Sequence, residues 1–297
     1  MLVVQDQVPV NVRIHDHMPA LYRTAETASG QGQRRFRELT ATALILLVVA
    51  AVGGMIDERW AGWLSAAAFA IGTAATTLWI MRRYENEWYD GRAAAESAKS
   101  LTFKYAVGGA PYGADNPSAR DTYAEALSAI VVELRHLESA VETSPDLPDL
   151  GELDQLRRAD LPDRQAAYRA QRIEEQRTWY TNRARDHRRN RHRWQAVMIT
   201  SYVAGIAGAV LKGLGVIDFD LLSLFATLAA SVAAWLTAVD YMRITRAYEF
   251  AALELGQVSG RSSDAAGEDE WASFVADAEQ TMSREHTLWQ ARRRGQS

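Results

Sequence analysis

The chain has no cysteine, and Lys99, Lys104 and Lys212 are its only lysines in 297 residues. Without cysteine there is no disulfide, no thiolate metal site and no cysteine nucleophile. The sequence also lacks a glycine-rich phosphate loop, a nucleophile elbow and a His-Glu-x-x-His helix motif. His187 and His192 lie five positions apart, which does not place two imidazoles on one helical face as four does. His15-Asp16-His17 is too short a cluster to define a metal site. Nor does the opening stretch read as a secretory signal, because Gln5, Asp6 and Gln7 interrupt its apolar residues and no basic segment precedes them. From these absences we expect no enzymatic activity, no cofactor and no resident metal.

What the chain does have is four long apolar runs. A mean hydropathy of -0.22 and 24% charged residues conceal them, because polar segments outweigh them in the average. The runs fall in two pairs, at about 39–55 and 62–81, then at about 196–217 and 221–239. At about 1.5 Å per residue each run covers roughly 24–30 Å, close to the hydrocarbon thickness of a bilayer. Arginines mark one side. Arg34, Arg35 and Arg37 precede the first run, Arg82 and Arg83 follow the second, Arg188, Arg189, Arg191 and Arg193 precede the third, and Arg243 and Arg246 follow the fourth. The turns inside each pair carry only Arg59 and Lys212. The expected topology therefore puts both termini and the central segment in the cytoplasm.

The two pairs are copies. A shift of 158 positions places Tyr22 on Tyr180, Arg35 on Arg193, Leu64-Ser65 on Leu222-Ser223, Thr73 on Ser231, and Ala93-Ala94-Ala95-Glu96 on Ala251-Ala252-Leu253-Glu254. Shared hydrophobicity explains the matches inside the spans but not those outside them. Both copies begin and end on the same side, so the repeat is parallel. Inverted repeats are what commonly build alternating-access transporters. The expected fold is an all-α membrane protein: four transmembrane helices as two tandem hairpins with long cytoplasmic extensions.

Taken in order, residues 1–20 read as extended or disordered, and 21–142 as the first unit. Its entry helix carries Gly30 and Gly32, where a kink or break is expected. A helix from 119 to 142 has Ala124, Leu127, Ile130, Val131, Leu134 and Leu137 on one face, a pattern for docking on another helix. Residues 143–161, acidic and holding Pro145, Pro148 and Gly151, read as a linker. The second unit spans 162–297, starting with Pro162 at a helix N-terminus. Residues 164–193 hold ten arginines against Glu174, Glu175 and Asp186. This stripe reads as topology enforcement and attraction to anionic lipid, and not as a nucleic-acid site.

The stretch Glu87-Trp88 through Arg92-Ala93-Ala94-Ala95-Glu96-Ser97 to Tyr105, followed by Pro111-Tyr112, resembles the third subtype of the SLATT family. These are two-transmembrane effector domains associated with SMODS nucleotide synthases and SLOG nucleotide sensors in bacteria. Phe103 stands where that subtype usually has tryptophan. Gln176-Arg177-Thr178-Trp179-Tyr180 and the tail Trp271-x-x-Phe274-x-x-x-x-Glu279 with Glu285 and Trp289 resemble the first subtype. The resemblance marks Trp88, Arg92, Glu96, Trp179, Tyr180, Phe274, Glu279 and Trp289 as motif positions, with Glu254 matched to Glu96 by the repeat. It implies a membrane effector of a bacterial conflict or antiviral system, one that acts on the membrane after a nucleotide signal.

The candidate working parts lie in the spans. Small residues recur every four positions at Ala68, Gly72 and Thr76, at Ala204 and Gly208, and at Gly205 and Ala209, which permits close helix packing. Ser65, Gly72, Thr73 and Thr76, with Ser223, Thr227 and Ser231, form a hydroxyl-bearing face for either helix packing or a pore wall. Asp57, Glu58, Asp218 and Asp220 in the outer turns are candidate charges at a mouth. Arg82 and Asp240 coincide under the repeat shift and are a candidate inner ion pair. The leading expectation is a homo-oligomeric pore or ion channel gated by cytoplasmic helices, with a nucleotide or a sensor protein as trigger. The alternative is a non-conducting scaffold that recruits a soluble sensor or effector, and a small transporter is a third reading.

Overall fold

The computed structural model of the chain describes residues 12–82, 84–133, 149–261 and 265–294, and these contain helices and no strand. Ten α-helices follow a short turn at Ile14–His17: α1 Ala20–Gly53, α2 Arg59–Arg82, α3 Tyr84–Val107, α4 Ala119–Glu133, α5 Gly151–Arg157, α6 Leu161–Tyr168, α7 Glu175–Gly213, α8 Leu221–Val239, α9 Tyr241–Arg261 and α10 Glu268–Arg294. A π-helical turn, Arg169–Glu174, joins α6 to α7. The 158-residue repeat is visible in this order, because α1, α2, α3 and α4 correspond in position to α7, α8, α9 and α10.

Four helical stretches are long and apolar enough to cross a membrane: α1, α2, the run that ends in α7, and the run that begins with α8. Tertiary contacts divide the chain into two compact units, and the division cuts across the sequence copies. The span unit comprises residues 32–85 and 182–249. In it α1 and α2 run in opposite directions and touch. A Cβ added to Gly72 would lie 3.4 Å from Leu46 Cβ, and one on Gly53 would overlap the Ser65 hydroxyl. The same device recurs between α7 and α8, where Gly205 faces Phe225 and Leu222, and Gly208 faces Leu221. Glycine lets two backbones approach where a side chain would hold them apart.

The polar unit comprises the residues up to 31 together with 86–181 and 250 onward. Its core contains a cluster of aromatic rings among aliphatic side chains. Phe103, Tyr105, Tyr112, Tyr123, Tyr168 and Trp271 are all fully buried, and Tyr105, Tyr112 and Tyr123 form a mutual ring cluster. Gly91 of α3 sits against the backbone of α1, where a Cβ would be 2.9 Å from both Ala25 O and Ser29 N.

Several expectations are corrected here. Gly30 and Gly32 do not break α1, whose helical backbone continues from Ala20 to Gly53. Within the stretch expected to be extended or disordered, Ile14–His17 form a helical turn flanked by extended residues, with Ile14 and Met18 buried and Gln171 bridging Ile14 N and Val12 O at 2.9 and 2.7 Å. The linker expected at 143–161 is folded from residue 149 on. Leu150, Leu153 and Leu156 of the α5 region are completely buried, which outweighs the local acidity. Asp154 accepts a hydrogen bond from the Tyr105 hydroxyl. The helix expected at 119–142 is described only to Glu133. The earlier parts of both stretches, 1–11 and 143–148, lie outside the described residues.

Candidate functional site

The most densely bonded site in the polar unit is a buried ion pair. Arg172 Nε donates to Glu279 Oε1 at 2.8 Å and its Nη2 to Oε2 at 2.7 Å, a two-pronged pairing with both side chains no more than 2% exposed. The Tyr168 hydroxyl donates to the same Oε1 at 2.9 Å. Glu96 lies 3.9 Å away, and the Phe103 ring lies under the guanidinium. Lys99 Nζ donates to Gln176 Oε1 at 2.9 Å, and Arg172 approaches that oxygen at 3.4 Å. Burial lowers the Lys99 pKa, and the neighbouring Arg172 charge adds to that effect. For Arg172 burial also opposes the charge, but Glu279 and Glu96 outweigh it and the net direction is upward. Removing one member of such a pair leaves an uncompensated buried charge, a cost of about 3–5 kcal/mol.

The elements explain the convergence. Arg164, Tyr168, Arg172, Gln176, Tyr180 and Ala184 recur every four residues, and all six are buried. Arg164 and Arg172 therefore do not belong to a solvated basic stripe. Arg164 donates to Val107 O and Ala159 O and pairs with Glu268, while Trp271 Nε1 also donates to Val107 O at 2.8 Å. Arg157, likewise buried, donates to Gly113 O at 3.1 Å and lies over the Tyr105 ring.

Two motif carboxylates, Glu96 and Glu279, thus meet at Arg172, which sequence reasoning had counted as surface charge. The signal for it was Tyr168 and Tyr180 on the same four-residue row. Arg92 lies over the Trp179 ring at 5.7 Å, and Tyr180 is buried. Trp88 stacks on Tyr89, and Phe274 on Trp271. Glu254 lies half-buried on α9. The Trp289 side chain is outside the described residues.

In the span unit the seven hydroxyl-face positions do not make one surface. Ser65 and Gly72 turn toward α1, and the Ser65 hydroxyl is buried with no hydrogen-bond partner. Thr73 is exposed and donates to Phe69 O, as Thr76 does to Gly72 O at 3.0 Å. On α8 the Ser231 hydroxyl is buried without a partner, Thr227 donates to Ser223 O, and Ser223 is exposed. Repeat partners have exchanged environments: Ser65 is interior and Ser223 is not, while Ser231 is interior and Thr73 is not. The offset comes from the helix starts. Ser223 falls in the first turn of α8, where Asp220 caps it by accepting from Ser223 N at 3.3 Å and Oγ at 2.5 Å. These bonds hold the Asp220 carboxyl below the usual range.

Asp57, Glu58, Asp218 and Asp220 are all exposed. Asp240 ends α8 in the left-handed region at φ 48° and pairs with Arg243 at 2.6 Å. The Arg82 side chain lies outside the described residues.

A family model for SMODS and SLOG-associating 2TM effector domain 3 matches residues 19–165, and one for effector domain 1 of the same series matches 168–289. The chain belongs to the SLATT family. The two matches meet at α6, so this SLATT protein is a tandem of two effector domains in the expected order, third subtype and then first. No curated protein and no solved structure matches the chain. Family and spans together make it a multi-pass membrane effector domain protein.

Proposed function

We propose that this SLATT tandem is the membrane-permeabilising effector of a bacterial defence system, assembling from several copies into a pore or ion channel. The polar unit lies in the cytoplasm, with both termini, and receives the trigger, a nucleotide or a sensor protein. One observation carries the reading. Only 11–22% of the residues in the most apolar stretch of each span are buried within the chain. Four helices so thinly covered leave most of their surface for lipid or further copies, and a water path needs walls from more than one chain.

The test uses full-length protein in liposomes carrying an ion gradient and a trapped dye. The expected result is flux of small ions with little solute selectivity, together with a subunit count above one by native mass spectrometry. Saturable exchange would point to a transporter, and silence with or without trigger to a scaffold. A strict monomer would also overturn the assembled pore.

A further inference from the structure

We propose that Arg37, His187 and Arg191 form a seat for the headgroup phosphate of an anionic phospholipid. Arg183, His187 and Arg191 stand four residues apart on α7 and share one face. Arg37 of α1 belongs to the same span unit. His187 is half-buried between the rings of Tyr241 and Tyr248, 5.6 and 5.7 Å away. Its imidazole pKa is lowered first by burial and then by the charges of Arg37 and Arg183, which places both guanidinium groups near it. Two nitrogens in the cluster are buried without a hydrogen-bond partner, His187 Nδ1 and Arg191 Nε. Nearby acids are engaged elsewhere, Glu38 with Arg34, Glu249 with Arg188 and Asp240 with Arg243. Asp186 is the remaining acid that acts on His187. Among the described residues neither Arg37 nor Arg191 forms an ion pair.

Converging guanidinium charge and the unsatisfied Arg191 Nε donor call for an anion with several acceptor oxygens. Depth selects the lipid. Arg37 lies two residues before the first span and Arg191 five before the third, about 3 and 7 Å along a helix. That places both arginines within the headgroup layer, roughly 5–8 Å thick on each face of the hydrocarbon core, with His187 one helical turn beyond Arg191 on its polar side. The interfacial aromatics Tyr241 and Trp194 flank the same level, as expected at a membrane boundary. The repeat supplies an internal contrast, since the positions matching Arg183, His187 and Arg191 in the first copy are Ala25, Ser29 and Gln33. Only the second copy has the row. The seat rests on the helices being membrane spans and not on conduction, so it stands or falls independently of the pore.

Full-length protein would be placed in nanodiscs of phosphatidylcholine with a minority of phosphatidylglycerol, and retained lipid counted by native mass spectrometry. The wild type should retain phosphatidylglycerol above its bulk fraction. R37Q/R191Q should lose that enrichment by about 25-fold, at about 5-fold for each arginine near the surface. R261Q, outside the span unit, should match the wild type, and R37K/R191K should keep most of the enrichment. Equal enrichment in the wild type and R37Q/R191Q would overturn the seat. So would equal losses in the lysine and glutamine variants, because geometry rather than charge would then be responsible. Displacement of the lipid by low-millimolar inorganic phosphate or by a short oligonucleotide would reassign the cluster to a soluble ligand.

Discussion

At the scale of residues, the chain places charged groups where burial and partners decide what they do. His187 shows this most directly. Burial, then Arg37 and Arg183, favour its neutral form, so its folded pKa lies below the ordinary 6.5. Between that folded value and 6.5 the unfolded chain binds more protons than the folded one, so stability falls as pH drops through this window. An NMR titration of the labelled imidazole should find it below 6.5 in the wild type and higher in R37Q; equal values in the two would show that Arg37 does not act on it. Residue type alone could not separate such groups. Ten arginines between 164 and 193 look alike in the sequence, yet Arg164 and Arg172 are buried and Arg189 and Arg193 are exposed. The partner that settles Arg172 lies 107 positions away, at Glu279, beyond the reach of any local pattern.

At the scale of elements, helix positions were legible because their signals are local. Apolar runs of the right length give the spans, and Gly108-Gly109 with Pro111 marks the end of α3. The π turn at 169–174 was not legible, because neither glycine nor proline announces it. The fold of 149–161 was also hidden, since three leucines among acids and turn residues do not amount to a period. Close approach between helices is likewise a property of pairs. G91A should destabilise the polar unit by about 1–3 kcal/mol, because the new methyl meets backbone atoms of α1 that cannot move aside. G30A, with nothing within 4 Å of its new Cβ, should instead stabilise by up to about 1 kcal/mol. Urea unfolding in detergent, followed by helical signal, measures both, and equal effects would contradict the α1–α3 contact.

At the scale of the whole molecule, the proposed pore would have the acidic turns Asp57-Glu58 and Asp218–Asp220 at its mouth, where they would favour cations. Neutralising them as D57N, E58Q, D218N and D220N should move the cation-over-anion permeability ratio toward unity, read as the reversal potential in a salt gradient. Asparagine at 220 still caps α8, so the helix start is kept. An unchanged potential would place these turns away from any mouth. The spans carry a second consequence in their threonines. Thr73, Thr76, Thr77, Thr227 and Thr237 each return their hydroxyl to a carbonyl four residues earlier. Threonine in a helix has two accessible χ1 wells, and only one makes that bond. Rotation of χ1 in these side chains therefore changes how much hydroxyl each helix shows to its surroundings while the backbone stays still.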